Sequence, residues 1–226
     1  MRRLLRRLAI AVGILALLGS VGLIGGYLWI SSTLPSITKL TEYDPKVPLR
    51  VYTADGQLAG EFGSERRLPL PPESIPQQLK QAFIAAEDAS FFNHYGIDIR
   101  GIIRAIIADI QAGAFVQGAS TITQQVARTF LLTRDRTIIR KLREMLLAFR
   151  IERNLNKQEI LHLYLNQIYL GNGAYGVEAA AQRYYGKSAT QLTLAEMAML
   201  AGLPKAPAHY NPVRNPEQAR ERRNYV

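Results

Sequence analysis

The chain has 226 residues, 48% of them hydrophobic and 20% charged, with a net charge of +10 and no cysteine. Disulfide scaffolds, thiolate zinc sites and cysteine nucleophiles are thereby excluded, and the apolar content is too high for a disordered chain. The positive charge gathers at the ends: Arg2, Arg3, Arg6 and Arg7 open the chain and four more arginines lie within residues 214–226, which leaves the interior too balanced for a nucleic-acid binder.

The first predicted element is a transmembrane helix over residues 8–30. Only Tyr27 among these side chains is ionisable, and a helix of roughly 20 apolar residues suffices to cross a bilayer. Residues 1–7 form a basic cytoplasmic tail, so everything after Ile30 is expected outside, with Tyr27 and Trp29 at the outer interface. The apolar run is longer than that of a cleaved signal peptide, and no small-x-small site ends it. Gly22 and Gly26 form a small-xxx-small pair through which two spans can approach, making a homodimer a candidate assembly.

Residues 31–48 are polar and proline-punctuated and read as a linker. Arg50–Thr53 and Gln57–Phe62 flank Ala54-Asp55-Gly56, a hairpin signature in which Asp-Gly supplies positive φ angles. Linker and hairpin occupy 31–75, closing in the proline-rich segment 68–76. From Gln77 onward the period is helical, and residues 76–226 are expected to form one mostly α domain. Ile103, Ile106, Ile107 and Ile110 recur at helical spacing, as do Ile138, Ile139, Leu142, Met145, Leu146 and Phe149. Further helices are expected over about 120–131, 157–169, 175–184 and 193–201, with breaks at Gly171-Asn172-Gly173 and from Gly202 to Pro212.

Four segments carry candidate chemistry. In the first, Ala86 to Gly96, the acidic pair Glu87-Asp88 ends an apolar helix. A carboxylate among apolar neighbours is tuned toward proton transfer near neutral pH, whereas an isolated acidic pair is ordinarily a solvated helix end. In the second, Gly118 to Gln125, hydroxyls and amides crowd a helix start whose free N–H groups suit an anion or sugar; an N-cap by Ser120 is the plainer reading. In the third, Arg140-Lys141-Leu142-Arg143-Glu144, two cations and a carboxylate share a helix face, either to hold a diphosphate or as a surface ion pair. The fourth, Lys157 to Gly171, is amphipathic and by itself reads as core.

Taken in order, these segments match Glu-Asp-x-x-Phe-x-x-His-x-Gly at 87–96, Gly-x-Ser-Thr-Ile-Thr-Gln-Gln at 118–125 and Arg-Lys-x-x-Glu at 140–144. Together with Tyr164-Leu165-Asn166, Gly171, Tyr175-Gly176-Val177, Tyr185-Gly186-Lys187 and Ala201 to Pro207, they resemble the peptidoglycan glycosyltransferases, glycosyltransferase family 51, over about 76–212. Residues 1–67 resemble the lead-in of class A penicillin-binding proteins of the 1A type. His162 stands where the family's fourth motif usually has Glu, so no role is carried over to that position, while Glu87 and Glu144 are unaffected.

The resemblance implies a lysozyme-like, mostly α domain at the outer face of the cytoplasmic (inner) membrane, in the periplasm, polymerising lipid II into β-1,4-linked glycan and releasing undecaprenyl pyrophosphate. Carried over, Glu87 is the general base for the acceptor 4-hydroxyl and Glu144 assists at the donor. Arg140 and Lys141 stabilise the leaving diphosphate. Ser120, Thr123, Gln124, Gln125 and Asn166 line the sugar and phosphate cleft. Asp88, Phe91, His94 and Gly96 hold the first motif in shape. Phe130-Leu131-Leu132 is placed to dip into the bilayer. Partners are then lipid II, the growing glycan, the membrane and other cell-wall synthesis proteins. No metal ligands are expected from the protein, and Mg²⁺ or Mn²⁺ would come with the pyrophosphate.

Two other readings use the same residues. A lytic enzyme of lysozyme-like fold cleaves glycan with one acid and has no need of Arg140-Lys141. A silent scaffold for wall assembly needs neither. The sole Ser-x-x-Lys, Ser36 to Lys39, lies in the linker and no Lys-Thr-Gly occurs, so no transpeptidase activity is expected from these residues. The basic helical stretch running to Val226 has no stop signal, from which a longer bifunctional protein is expected.

Overall fold

The computed structural model of the chain describes residues 2–37, 49–62, 65–114, 118–131 and 137–226. Helix α1 (Arg2–Ser32) takes the four arginines into its first turns instead of starting at Leu8. Its portion Leu5–Ser32 is long and apolar enough to cross a membrane, and the 18-residue apolar window within it is not buried by the rest of the protein. Of the linker expected over 31–48, residues 38–48 lie outside the described residues; Leu34 and Ile37 pack against the soluble core.

Strands β1 (Leu49–Tyr52) and β2 (Leu58–Phe62) form the expected antiparallel hairpin, with Arg50 opposite Glu61 and an irregularity between Val51 and Tyr52. The Thr53 N–H donates to the Gln57 carbonyl at 2.8 Å. Of the Asp-Gly pair only Gly56 has a positive φ, +81°, so the turn is wider than a two-residue one.

A second pairing was not legible in the sequence: β3 (Arg66–Arg67) runs parallel to β4 (Ala174–Tyr175). Two-residue strands carry no period-2 signal. Arg67 donates to the Gln167 side-chain carbonyl and lies 4.2 Å over the Tyr175 ring, stitching the segment after the hairpin onto the helical body.

That body comprises α2 (Gln77–Glu87), α3 (Ile99–Ala112), α4 (Ile122–Leu131), α5 (Ile138–Asn154), α6 (Lys157–Gln167), α7 (Val177–Tyr185), α8 (Leu194–Gly202) and α9 (Pro216–Tyr225). The caps follow local chemistry. Thr137 accepts from the Arg140 N–H to open α5, Asn156 and Glu159 form a capping box on α6, and Gly113 ends α3 in the left-handed region. Phe83, Phe91, Leu147, Ile151, Ile160, Leu165 and Leu200 form the fully buried centre. Helix α2 packs on α8, α4 on both α5 and α6, and α9 on α8.

The isoleucine stripe of α3 has the expected period but faces outward. Ile99 is 68% and Ile110 74% exposed, with Ile103, Ile106 and Ile107 also exposed, while the buried face of α3 consists of the small residues Gly101 and Ala105. On α5, Ile138, Ile139, Leu142 and Phe149 are likewise exposed. Contiguous exposed apolar surface of this kind marks an interaction face.

Candidate active site

Glu87 is the last residue of α2 and lines a cleft of about 940 Å³ whose walls also include Asp88, Ser120, Gln125, Arg128, Lys205, Tyr210 and Arg222. Burial pushes its carboxyl pKa above that of an unperturbed glutamate. Opposing that push are a hydrogen bond from Gln125 and the positive charges of Arg222 and Arg128. The Gln125 amide donates to the Glu87 carboxylate at 2.8 Å. A carboxylate in this state is a poised proton acceptor.

Asp88 turns away from that chemistry. Its carboxylate accepts from the Ile122 backbone N–H at 3.0 Å and contacts His94 Nε2 at 3.0 Å through each oxygen. The first acidic segment is thereby tied to the opening turn of α4, where an anion also complements the helix dipole. The ring of Phe91 is fully buried and meets His94 edge-on at 6.2 Å. Gly96 has φ +82°, and a Cβ there would sit 3.0 Å from the Ala148 carbonyl carbon, so the loop can lie against α5 only with glycine. Thr121 donates to the Gly96 carbonyl at 2.7 Å, locking the same loop from the other side.

The residues expected to line the cleft divide into two groups. Ser120 and Gln125 lie on its wall. Thr123, Gln124 and Asn166 lie behind it. Thr123 is fully buried and donates to Glu152 at 2.6 Å; Glu152 also accepts from Lys157, whose ammonium sits 4.5 Å over Phe91. The Gln124 side chain accepts from the Thr121 N–H at 3.1 Å. Asn166 grips the Leu70 backbone by both its N–H and its C=O, each at 2.9 Å, and His162 reaches the same carbonyl at 2.8 Å. A sequence motif reports which residues a site requires, not whether they face the ligand or brace its wall.

The third motif forms a compact ionic cluster. Glu144 is 0% exposed and accepts from Arg140 at 3.1 Å and from Lys141 at 2.6 Å. Neither cation is among the residues that line the cleft. Lys141 approaches it indirectly, donating to Ser120 at 2.9 Å. Its side chain keeps 42% exposure, so it can exchange Glu144 for an incoming anion more readily than Arg140 can.

The cleft instead carries Arg104, Arg128, Lys205 and Arg222 beside Glu87. Arg128 follows Gln125 by three residues on α4, a spacing that identifies it as a neighbour. Lys205 falls inside the quoted Ala201 to Pro207 segment. Arg222 had no sequence signal: α9 folds back on α8, and the Arg222 stem passes 2.9 Å from where a Cβ on Gly202 would be. Among the described residues no group of three or more His, Asp or Glu is placed to hold a metal ion. Of the Phe130-Leu131-Leu132 stretch, Phe130 packs against the core, while the Leu131 side chain and Leu132 lie outside the described residues.

Residues 55–226 match the transglycosylase family. Penicillin-binding protein 1A of Pseudomonas aeruginosa is 52% identical over 89% of this chain and 25% of its own length. Penicillin-binding protein 1A of Escherichia coli is 50% identical over 93% of this chain and likewise 25% of its own length. The chain thus spans about a quarter of the curated relatives it matches. A crystal structure of penicillin-binding protein 1A from Haemophilus influenzae is 35% identical, with a TM-score of 0.45, covering 80% of this chain and 18% of that one.

Proposed function

The chain belongs to the transglycosylase family, a glycosyltransferase domain of cell-wall synthesis, and from that premise we propose that it polymerises lipid II into β-1,4-linked glycan at the outer face of the cytoplasmic membrane. The observation that carries the reading is the pairing of one buried, upward-shifted carboxylate with several cations in a single cleft. Glu87 takes the proton from the 4-hydroxyl of the acceptor sugar. The freed oxygen attacks the donor anomeric carbon from the face opposite the diphosphate, with inversion. The diphosphate leaves as an anion, and positioned cations lower the barrier by stabilising the charge that develops on it. Arg128, Arg104, Lys205 and Arg222 supply that charge in the cleft, with Lys141 and Arg140 releasing part of Glu144 on the donor side. A divalent ion, Mg²⁺ or Mn²⁺, would be carried by the diphosphate.

A lipid-linked substrate calls for an enzyme held at the bilayer. Helix α1 is the span, its arginines stay in the cytoplasm, and the outward isoleucines of α3 and exposed apolar residues of α5 rest on the outer leaflet. The cluster of cations also favours polymerisation over lysis, since a glycan chain has no anionic leaving group. The test is polymerisation of purified lipid II in vesicles by the full chain and by Glu87→Gln. The substitution is expected to reduce turnover by about 10²–10⁴-fold. Equal rates would remove Glu87 as the base, and shortening of preformed glycan without polymerisation would establish the lytic reading instead.

A further inference from the structure

The C-terminal end of helix α1 is capped partly by the residues that follow it and partly by a residue far away in sequence. The last four carbonyls of a helix lack intrahelical partners, and leaving them bare is costlier where water is scarce. The Trp29 carbonyl accepts from Ser32 Oγ at 2.8 Å, and the Ile30 carbonyl accepts from Thr33 Oγ1 at 2.8 Å. The Ser31 carbonyl accepts from the Leu34 N–H at the long distance of 3.4 Å and, at 3.0 Å, from Arg150, which lies 119 residues away on α5. One guanidinium nitrogen reaches both the Ser31 carbonyl at 3.0 Å and its hydroxyl at 2.7 Å. No basic residue occupies the last turn of α1, so this borrowed cation is also the charge that complements its dipole.

We propose that Arg150 is a positioning residue that fixes the catalytic helix to the membrane span. Arg150 follows Glu144 by six residues and Lys141 by nine on one continuous helix, about 9 and 14 Å along its axis. Leu34 and Ile37, just beyond the span, pack on the soluble core and make a second attachment close by. Span, clamp and donor-side cluster therefore move as one body, and the height of Lys141 and Glu144 above the bilayer is set by Arg150 and not left to a tether. A diphosphate anchored in the leaflet is met at a constant depth. The inference rests on the proposed function for its substrate, but the clamp itself is testable without any substrate.

The chain has no cysteine, so introduced thiols report without background. The full chain carrying Leu194→Cys, an exposed position on α8, is labelled with a fluorophore in vesicles containing an acceptor dye in the bilayer. Distance distributions are then compared with and without Arg150→Gln. Arg150→Gln is expected to broaden the distribution, and a Ser31→Cys/Arg150→Cys pair, bridged first by a short bis-maleimide so that only the Leu194→Cys thiol is left for the fluorophore, is expected to narrow it again. An unchanged distribution in Arg150→Gln, or failure of the pair to cross-link, overturns the clamp whatever the enzyme does. In turnover, lipid II in vesicles should be used about tenfold more slowly by Arg150→Gln, whereas a water-soluble lipid II analogue in detergent changes by less than about twofold. Equal loss in both media would make Arg150 a residue of the fold and overturn its positioning role. A parent chain that is clamped yet inactive on both substrates would instead count against the glycosyltransferase reading.

Discussion

Glu87 and Asp88 are adjacent and chemically alike, yet their carboxylates point in different directions and find different partners. Glu87 opens onto the cleft with Gln125 as its hydrogen-bond donor, while Asp88 points inward to the Ile122 N–H and His94. Because burial raises the Glu87 pKa, the ionised, proton-accepting form is reached at a higher pH than for an unperturbed glutamate. The acid limb of kcat/KM is therefore expected there. Gln125 donates to the ionised form, so Gln125→Ala removes a stabiliser of that form and shifts the limb further up in pH, measured on lipid II across the acid range. A limb that stays in place would mean that Gln125 does not act on Glu87. The same burial costs stability as pH rises through the shifted pKa, because the folded state then holds a desolvated charge. Glu87→Gln should thus unfold at a temperature equal to or above that of the parent while losing activity.

Among elements, the helices were legible and their orientations less so. Apolar period and the glycine- and proline-rich breaks located α2 to α8 within a few residues, and the structure adds the local caps Thr137, Asn156 with Glu159, and Gly113. The outward turn of α3 was not readable, because a stripe of isoleucine has one period whether it meets a core or a bilayer. The β3–β4 pair and the entry of Arg222 into the cleft depend on contacts between segments far apart in sequence. In the site, Glu87, Ser120 and Gln125 were found as cleft residues, whereas Thr123, Gln124 and Asn166 brace it from behind. Gly96 joins two elements at a point with no room: φ is +82° and α5 lies 3.0 Å from a would-be Cβ. Gly96→Ala is expected to cost about 1–3 kcal/mol, read as a lower denaturation midpoint in detergent. Gly113→Ala is strained only by its φ of +62°, with no atom near the added methyl, and should cost less.

For the whole molecule, the exposed apolar surface has two parts, the long apolar helix α1 and the outward faces of α3 and α5. Replacing Ile103 and Ile107 with Asp should leave the fold intact, as both side chains are exposed. It should weaken vesicle association of the soluble part by about tenfold or more per residue, the value of a lost apolar side chain in the leaflet. Flotation of the chain lacking residues 2–32, with and without the two changes, measures this; equal flotation would mean that α3 does not touch lipid. The outward α3 face has a practical side as well. Removing the anchor does not yield a protein at home in water: with Ile99, Ile103, Ile106, Ile107 and Ile110 still uncovered, such a version should keep its detergent belt through purification and self-associate once the micelle is withdrawn.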